Sequence, residues 1–417
     1  MEKKKKYIAL ITSFQSVAGG LFHVHRVTYE KISKNFEKVF IINSQNLRFF
    51  PNFACKYYFE KEYTETNFEP PFMPKNFVLF SPKNTNEFTD FLKDKELVVI
   101  NHINKHFFDL KIQMLIKKYK FRQIQISNLG VEGAVPQTTS KEFKHFFKTM
   151  LFYLNQQLFN KITVLLTNFG IVPKLDVRFF SNLKHLDNIK KNKFKNFLHK
   201  KKFLWAKEIK LVNSMAYDIF LENKLQITDK YIVHLDAGLN IRHEVELRGL
   251  WPKDKVIKHY YYLEKFLKRL SKEFGKEVIV TIHPGYDLQE HQHYLKNFKV
   301  LKYKTTEYIY KSFMITSFES SAITDGILLK KKILGLHSDF MSENEIFHSH
   351  AMARNVGYTI LNTKKDYNFN KEKLLLEMKQ NVISNYENYI SKYHCFKPNI
   401  SGSQEIVDTI KERFFKK

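Results

Sequence analysis

The chain predicts an α/β protein of two domains, each a doubly wound parallel sheet, and three observations predict it. Short apolar, β-branched runs alternate with helical patterns along the whole length, the sign of strands joined by crossover helices. Several of those runs, Glu277-Val-Ile-Val-Thr-Ile282 above all, are short, mostly apolar and β-branched, as strands covered on both faces are. At 417 residues the chain is too long for one comfortable core, and a boundary near Trp205 divides it into residues 1–205 and 206–417.

The elements follow in order. Residues 7–13 read as a strand, 14–26 as a loop carrying Gly19, Gly20, His23 and His25, 27–36 as a helix and 38–42 as a strand. The Gly pair lacks the GxGxxG spacing of a dinucleotide site. His23 and His25 either touch an acceptor sugar or phosphate or are ordinary loop histidines. Residues 57–82, aromatic and Pro-rich without periodicity, read as an irregular excursion. A strand at 96–100, a helix at 107–119 and a strand at 121–126 come next. That strand breaks into Ser127-Asn-Leu-Gly-Val-Glu-Gly133, where a carboxylate on a Gly-flanked loop can be aimed into a cleft.

Met150, Leu151, Leu154, Leu158, Ile162, Leu165 and Phe169 then recur at helical spacing, either as a core-facing helical pair or as a surface that meets lipid. After a strand at Leu175–Phe180, residues 190–202 hold seven lysines among Phe194, Phe197 and Leu198, a solvated helix or a patch for an anionic membrane or acidic glycan. A strand at 208–212 leads to Asn213-Ser214, a good N-cap for a helix at 215–223. A strand at 231–235 delivers Asp236 on a Gly-containing loop, where it meets substrate or caps its own turn. Arg242, His243 and Arg248 follow, any of which can meet an anion.

Beyond a sheet-covering helix at 256–274, the stretch 276–339 is the most informative. The strand Glu277–Ile282 ends in His283-Pro284-Gly285, and a strand at 313–316 ends in Ser317-Phe-Glu-Ser-Ser321, whose Ser320 and Ser321 are expected to open a helix at 322–329. Ligands of such sheets bind beyond the strands' carboxyl ends. Serine hydroxyls and free N–H groups at a helix start form an anion site, to which an imidazole one strand away adds a donor. A nucleotide phosphate fits that description. A third strand at 332–336, a loop at 342–354 with Glu343, His348 and His350, and helices near 370–389 and 404–415 close the chain.

Strand–His283-Pro284, then strand–Ser320-Ser321–helix–Asp325, resembles the donor half of bacterial sialyltransferases and polysialyltransferases, and more loosely the glycerophosphate polymerases of teichoic acid synthesis. The resemblance implies two Rossmann-like domains facing a cleft, the GT-B arrangement, and an inverting, metal-independent glycosyltransferase. Its donor is a cytidine-linked sugar, sialic-acid-like or another nonulosonate, held by His283, Pro284, Ser317, Ser320 and Ser321. The acceptor is a surface glycan or glycolipid, with Asp236, Arg242, His23 and His25 as further substrate contacts. Glu132-Gly133 resembles the family's second motif, an acidic pair followed by glycine, which implies Glu132 as general base; here the first acidic position is Val131. A CDP-glycerol-type glycerophosphotransferase is the alternative.

Composition adds limits. Hydrophobic residues at 43% and aromatics at 15% exclude global disorder. The formal charge of +27 points to an anionic partner or reflects a genomic AT bias, since Lys, Phe, Asn and Ile abound while Gly and Pro are scarce. A nucleic-acid-binding protein is the non-enzymatic alternative, disfavoured by the spread of the basic residues and the lack of a recognition motif. Cys55 and Cys395 show neither metal nor disulfide spacing, and no cofactor is expected beyond the nucleotide-sugar co-substrate. No apolar run approaches the ~20 residues of a membrane span; the cysteine usage makes the cytoplasm the expected compartment, and residues 146–172 and 190–202 offer peripheral attachment to the membrane's inner face.

Overall fold

The computed structural model describes residues 5–12, 25–52, 73–102, 107–127, 162, 165–166, 169–181, 206–222, 225–236, 253–283, 288–341 and 343–416. Of the expected site residues, His23, Glu132, Arg242 and Pro284 lie outside them, as do residues 190–202 and most of 146–172.

Parallel strands build the first sheet: β1 (Lys5–Thr12), β2 (Val39–Asn43), β3 (Phe77–Phe80), β4 (Lys95–Asn101), β5 (Arg122–Ser127), β6 (Leu175–Phe180) and β7 (Ala206–Leu211). Their order is β3-β2-β1-β4-β5-β6-β7. Ile8, Ala9, Leu10 and Ile11 of β1 are all fully buried because helices cover both faces. Ile8 and Leu10 pack with Tyr29 and Ile32 of α1 (Arg26–Asn35) and with Ile406, Val407 and Ile410 near the C-terminus. Ala9 and Ile11 pack with Phe88 of α2 (Thr85–Phe91) and with Ile112, Leu115 and Ile116 of α3 (Leu110–Lys118). The helix α4 (Met215–Glu222) follows β7, with Ser214 accepting the Tyr217 N–H at 3.2 Å as the predicted cap.

The second sheet repeats the plan. β8 (Tyr231–Asp236), β9 (Glu277–Ile282), β10 (Lys299–Lys302), β11 (Ser312–Ser317), β12 (Lys332–His337) and β13 (Thr359–Asn362) are parallel in the order β10-β9-β8-β11-β12-β13. One face is covered by α5 (Lys253–Phe274), whose Tyr260, Leu263, Phe266, Leu267 and Leu270 are buried, each such side chain contributing about 1.5–3 kcal/mol. After α6 (Leu288–Tyr294) and α7 (Thr305–Tyr310), the other face is covered by α8 (Ile323–Leu328), α9 (Glu343–Val356) and α10 (Lys371–Tyr393), through Ile323, Ile327, Ala353, Tyr386 and Tyr389. The segment 342–354, expected as a loop, is mostly α9, so His350 stands on a helix.

Three other expectations differ from the structure. Residues 77–80, expected as irregular, are β3: Phe77 and its neighbours pair with β2, and tertiary pairing overrides the lack of periodicity. Ser320 and Ser321 precede α8 rather than open it, since its N-cap is Ala322. The expected boundary near Trp205 falls before β7, yet β7 pairs with β6 in the first sheet, and the chain divides after Asp218 and again after Cys395. Residues from Phe396 onward rejoin the first unit, where α11 (Gly402–Ile410) packs against α1. Asn213, fully buried, fixes this return by accepting the N–H groups of Phe396 (2.7 Å) and Lys397 (3.1 Å) and donating to the carbonyls of Lys397 (2.6 Å) and Ile400 (2.8 Å). No helix of the described residues is long and apolar enough to cross a membrane.

Candidate functional site

In the second unit the connections reverse direction between β8 and β11, which are neighbours in the sheet. Such a switch point leaves a crevice outside the strands' carboxyl ends. β8 ends there in His234, Leu235 and Asp236, β9 in Thr281 and Ile282, and β11 in Thr316 and Ser317. Period-two alternation puts His234 and Asp236 on one face. Asp236, 5% exposed, accepts the Tyr260 hydroxyl of α5 at 3.0 Å and lies 3.7 Å from Nε2 of His291 in α6. His234 Nδ1 is 2.9 Å from Thr316 Oγ1. The ring of Phe318 lies edge-on to His234 and 4.9 Å from that of His259. Burial pushes both His234 and His259 down to about 4, against the pull of Asp236, so both are neutral near pH 7.

Three buried polar atoms at this edge have no hydrogen-bond partner among the described residues: His234 Nε2, Thr281 Oγ1 and Ser317 Oγ. Thr281 and Ser317 are both in register with Leu235 and so share one face of the sheet, whereas His234, in register with Val280 and Thr316, faces the other. An orphaned buried donor or acceptor costs about 1–3 kcal/mol, a cost that a ligand able to pair with it removes.

Of the residues predicted to hold phosphate, His283 follows β9 directly and is exposed. Ser317 ends β11 and is fully buried. Ser320 accepts the Ala322 N–H at 3.3 Å, and the N–H groups of Ile323 and Thr324 bond the carbonyls of Ser320 and Ser321, so this turn spends local donors on itself. Ser321 is exposed. The structure therefore brings His283, Ser317 and Asp236 to the ends of three neighbouring strands, β9, β11 and β8. Among the described residues no cluster of three or more His, Cys, Asp or Glu can hold a metal.

The first unit has its own switch point, between β1 and β4. His25, 4% exposed, stands at the head of α1, and His102 directly follows β4, its N–H bonded to the carbonyl of Ile11 at 3.0 Å. Tyr29 Oη lies 2.8 Å from His102 Nε2. His102, His234, His259, Tyr260 and His291 were not singled out from sequence. His234 alone carried a usable signal, two positions before Asp236 on a strand; the others meet their partners only through long-range packing.

No protein-family model and no curated protein matches the sequence. Solved structures match in fold. A variant of the wall teichoic acid polymerase TagF aligns with a TM-score of 0.53 at 12% identity, over 98% of this chain and 89% of that one. The polymerase itself aligns at 0.50 and 12% identity, over 97% and 88%. A UDP-GlcNAc 2-epimerase from Methanocaldococcus jannaschii aligns at 0.45 and 12% identity, over 98% and 100%. The chain thus has the GT-B type of fold, two Rossmann-like units each built on a parallel sheet.

Proposed function

We propose that the chain is a glycosyltransferase that moves a sialic-acid-like or other nonulosonate sugar from a cytidine-nucleotide donor to a surface glycan or glycolipid, with inversion. The observation that carries this reading is the pair of partnerless buried hydroxyls, Thr281 Oγ1 and Ser317 Oγ, on one face of the sheet at the second unit's switch point. A polar ligand with several acceptors and donors, such as a nucleotide, satisfies them in the place where such sheets bind ligands.

In this scheme His283, Pro284, Ser317, Ser320 and Ser321 hold the donor phosphate. The acceptor oxygen attacks the anomeric carbon as its bond to the phosphate oxygen breaks. Glu132 takes the hydroxyl proton, and the cytidine monophosphate leaves with the bonding pair, its charge met by donors already in place. Asp236 serves as an anchor for the Tyr260 hydroxyl beside the ligand.

Thermal unfolding with cytidine, uridine, guanosine and adenosine nucleotides tests the reading. A ligand at one hundred times its Kd adds about 2.7 kcal/mol to apparent stability, so cytidine nucleotides should raise the midpoint most. No rise with any nucleotide would sink it. Because His283 is exposed, His283→Ala should leave the fold intact and weaken nucleotide binding by about 1.5–3 kcal/mol. A second reading, a glycerophosphotransferase with a CDP-glycerol-type donor, draws support from the fold shared with a wall teichoic acid polymerase. Turnover of CDP-glycerol but not of a CMP-linked sugar would select it.

A further inference from the structure

We propose that His25 and His102, at the first unit's switch point, form a binding site for the hydroxyl groups of an uncharged sugar or polyol. The site rests on the transferase reading only for the ligand's role as acceptor; the binding itself is argued from this unit alone.

His25 Nδ1 is buried with no hydrogen-bond partner among the described residues, on a ring only 4% exposed. The His102 ring lies 5.6 Å from it, centroid to centroid, and is partly exposed at the end of β4. Tyr29 locks the pair: its hydroxyl is 2.8 Å from His102 Nε2 and its ring is 5.6 Å from His25. A tyrosine hydroxyl can donate to Nε2 or accept from it, so the opposite nitrogen of His102 can serve as donor or acceptor in turn. A hydroxyl group needs that pairing, because it too both donates and accepts.

The helix that carries Tyr29 is pinned from behind. Thr28 Oγ1 lies 2.7 Å from Ser403 Oγ in the buried contact with α11, and Lys31 Nζ donates to Ser401 Oγ at 2.8 Å. The site is therefore preorganised, which lowers the ordering cost of binding.

Charge decides the ligand class. Burial pushes His25 down to about 4, and burial with the neighbouring His25 pushes His102 to about 3. Two neutral imidazoles offer an anion no countercharge, whereas they match the hydroxyls of a neutral ring.

Saturation-transfer NMR on the full chain tests this, with methyl galactoside, methyl glucoside and the methyl glycoside of N-acetylglucosamine as neutral probes, and methyl glucuronide as the anionic one. Binding of a neutral probe is expected, weakened about tenfold by His25→Phe, which keeps ring volume and removes both nitrogens. His25→Asn, whose amide stands near the Nδ1 position, should restore it. Should His25→Phe fail to fold, His102→Phe carries the comparison. No binding of any neutral probe, equal binding of the glucuronide, or undiminished binding in the folded Phe variant would overturn the site. Nucleotide titrations of the same samples report on the second unit separately, so failure of the transferase reading is distinguished from failure of this site.

Discussion

Asp218 in α4 accepts the N–H of Gly402 on one carboxylate oxygen and that of Ser403 on the other, each at 2.8 Å, across more than 180 residues of chain. It caps α11 from another element, with the helix's own Ser401 side chain accepting the Gln404 N–H at 3.1 Å. Burial raises the Asp218 carboxyl and these bonds oppose the rise. Asp218→Ala leaves two buried N–H groups without their acceptor and should cost about 2–4 kcal/mol. Urea unfolding measures it; a loss below about 0.5 kcal/mol would mean that α11 holds its place by apolar packing alone.

Stability should fall on mild acidification. His25, His234 and His259 are held down to about 4 by burial, against an unfolded value of 6.5. Between those values the unfolded chain binds protons that the folded one excludes. The stabilisation is thus complete above pH ~6.5 and is lost as the pH falls toward 4, at up to about 1.4 kcal/mol per pH unit for each histidine. Urea midpoints taken through that window should decline steeply, and less so in His25→Phe. A flat profile would show that these rings take up protons freely in the fold.

Gly335 in β12 marks a close approach. A Cβ there would come within 2.6 Å of Tyr358 Cε2 and 2.8 Å of Ile360 Cγ1, the first buried in, and the second packed against, the core between the second sheet and α8–α10. Gly335→Ala should cost about 1–3 kcal/mol by overpacking. Thermal unfolding unchanged from the parent would mean that the Tyr358 ring can move aside.

Glu132→Gln tests the proposed base. The amide cannot accept the acceptor's proton, so donor binding should persist while turnover drops about 10²–10⁴-fold. Normal turnover in this variant, beside a folded but inactive Asp236→Asn, would move the role to Asp236.

Leu165, Phe169 and Ile171 are exposed, and seven lysines follow between residues 190 and 202. Sedimentation with anionic vesicles, reversed by salt, is the expected result, each nearby lysine adding about 1 kcal/mol of attraction. Equal recovery in the supernatant with anionic and neutral vesicles would exclude a membrane role for this segment.

Local pattern was enough wherever an element is locally consistent. The run at Glu277–Ile282 coincides with β9, because a strand covered on both faces is almost continuously apolar, and Leu175–Phe180 coincides with β6, where Leu175, Val177 and Phe179 alternate into the core. The same logic located Asp236, His283 and Ser317 at strand ends, since a polar residue ending an apolar run sits where the sheet stops. What failed was long-range. β3 exists only because β2 offers it a ladder, and β7 belongs to the first sheet only because β6 stands beside it.

By itself, then, the sequence determined the class of the protein, two parallel α/β units, and the carboxyl-end positions of several polar residues, because strand and helix periods are written in neighbouring side chains. Only the tertiary structure decided which of them meet. Tyr29 reaches His102 across 73 positions, Tyr260 reaches Asp236 across 24, and the chain's last helix returns to α1 through Asp218 and Asn213. Such pairings depend on strand order and crossover geometry, which bring together residues whose separation along the chain carries no local signal.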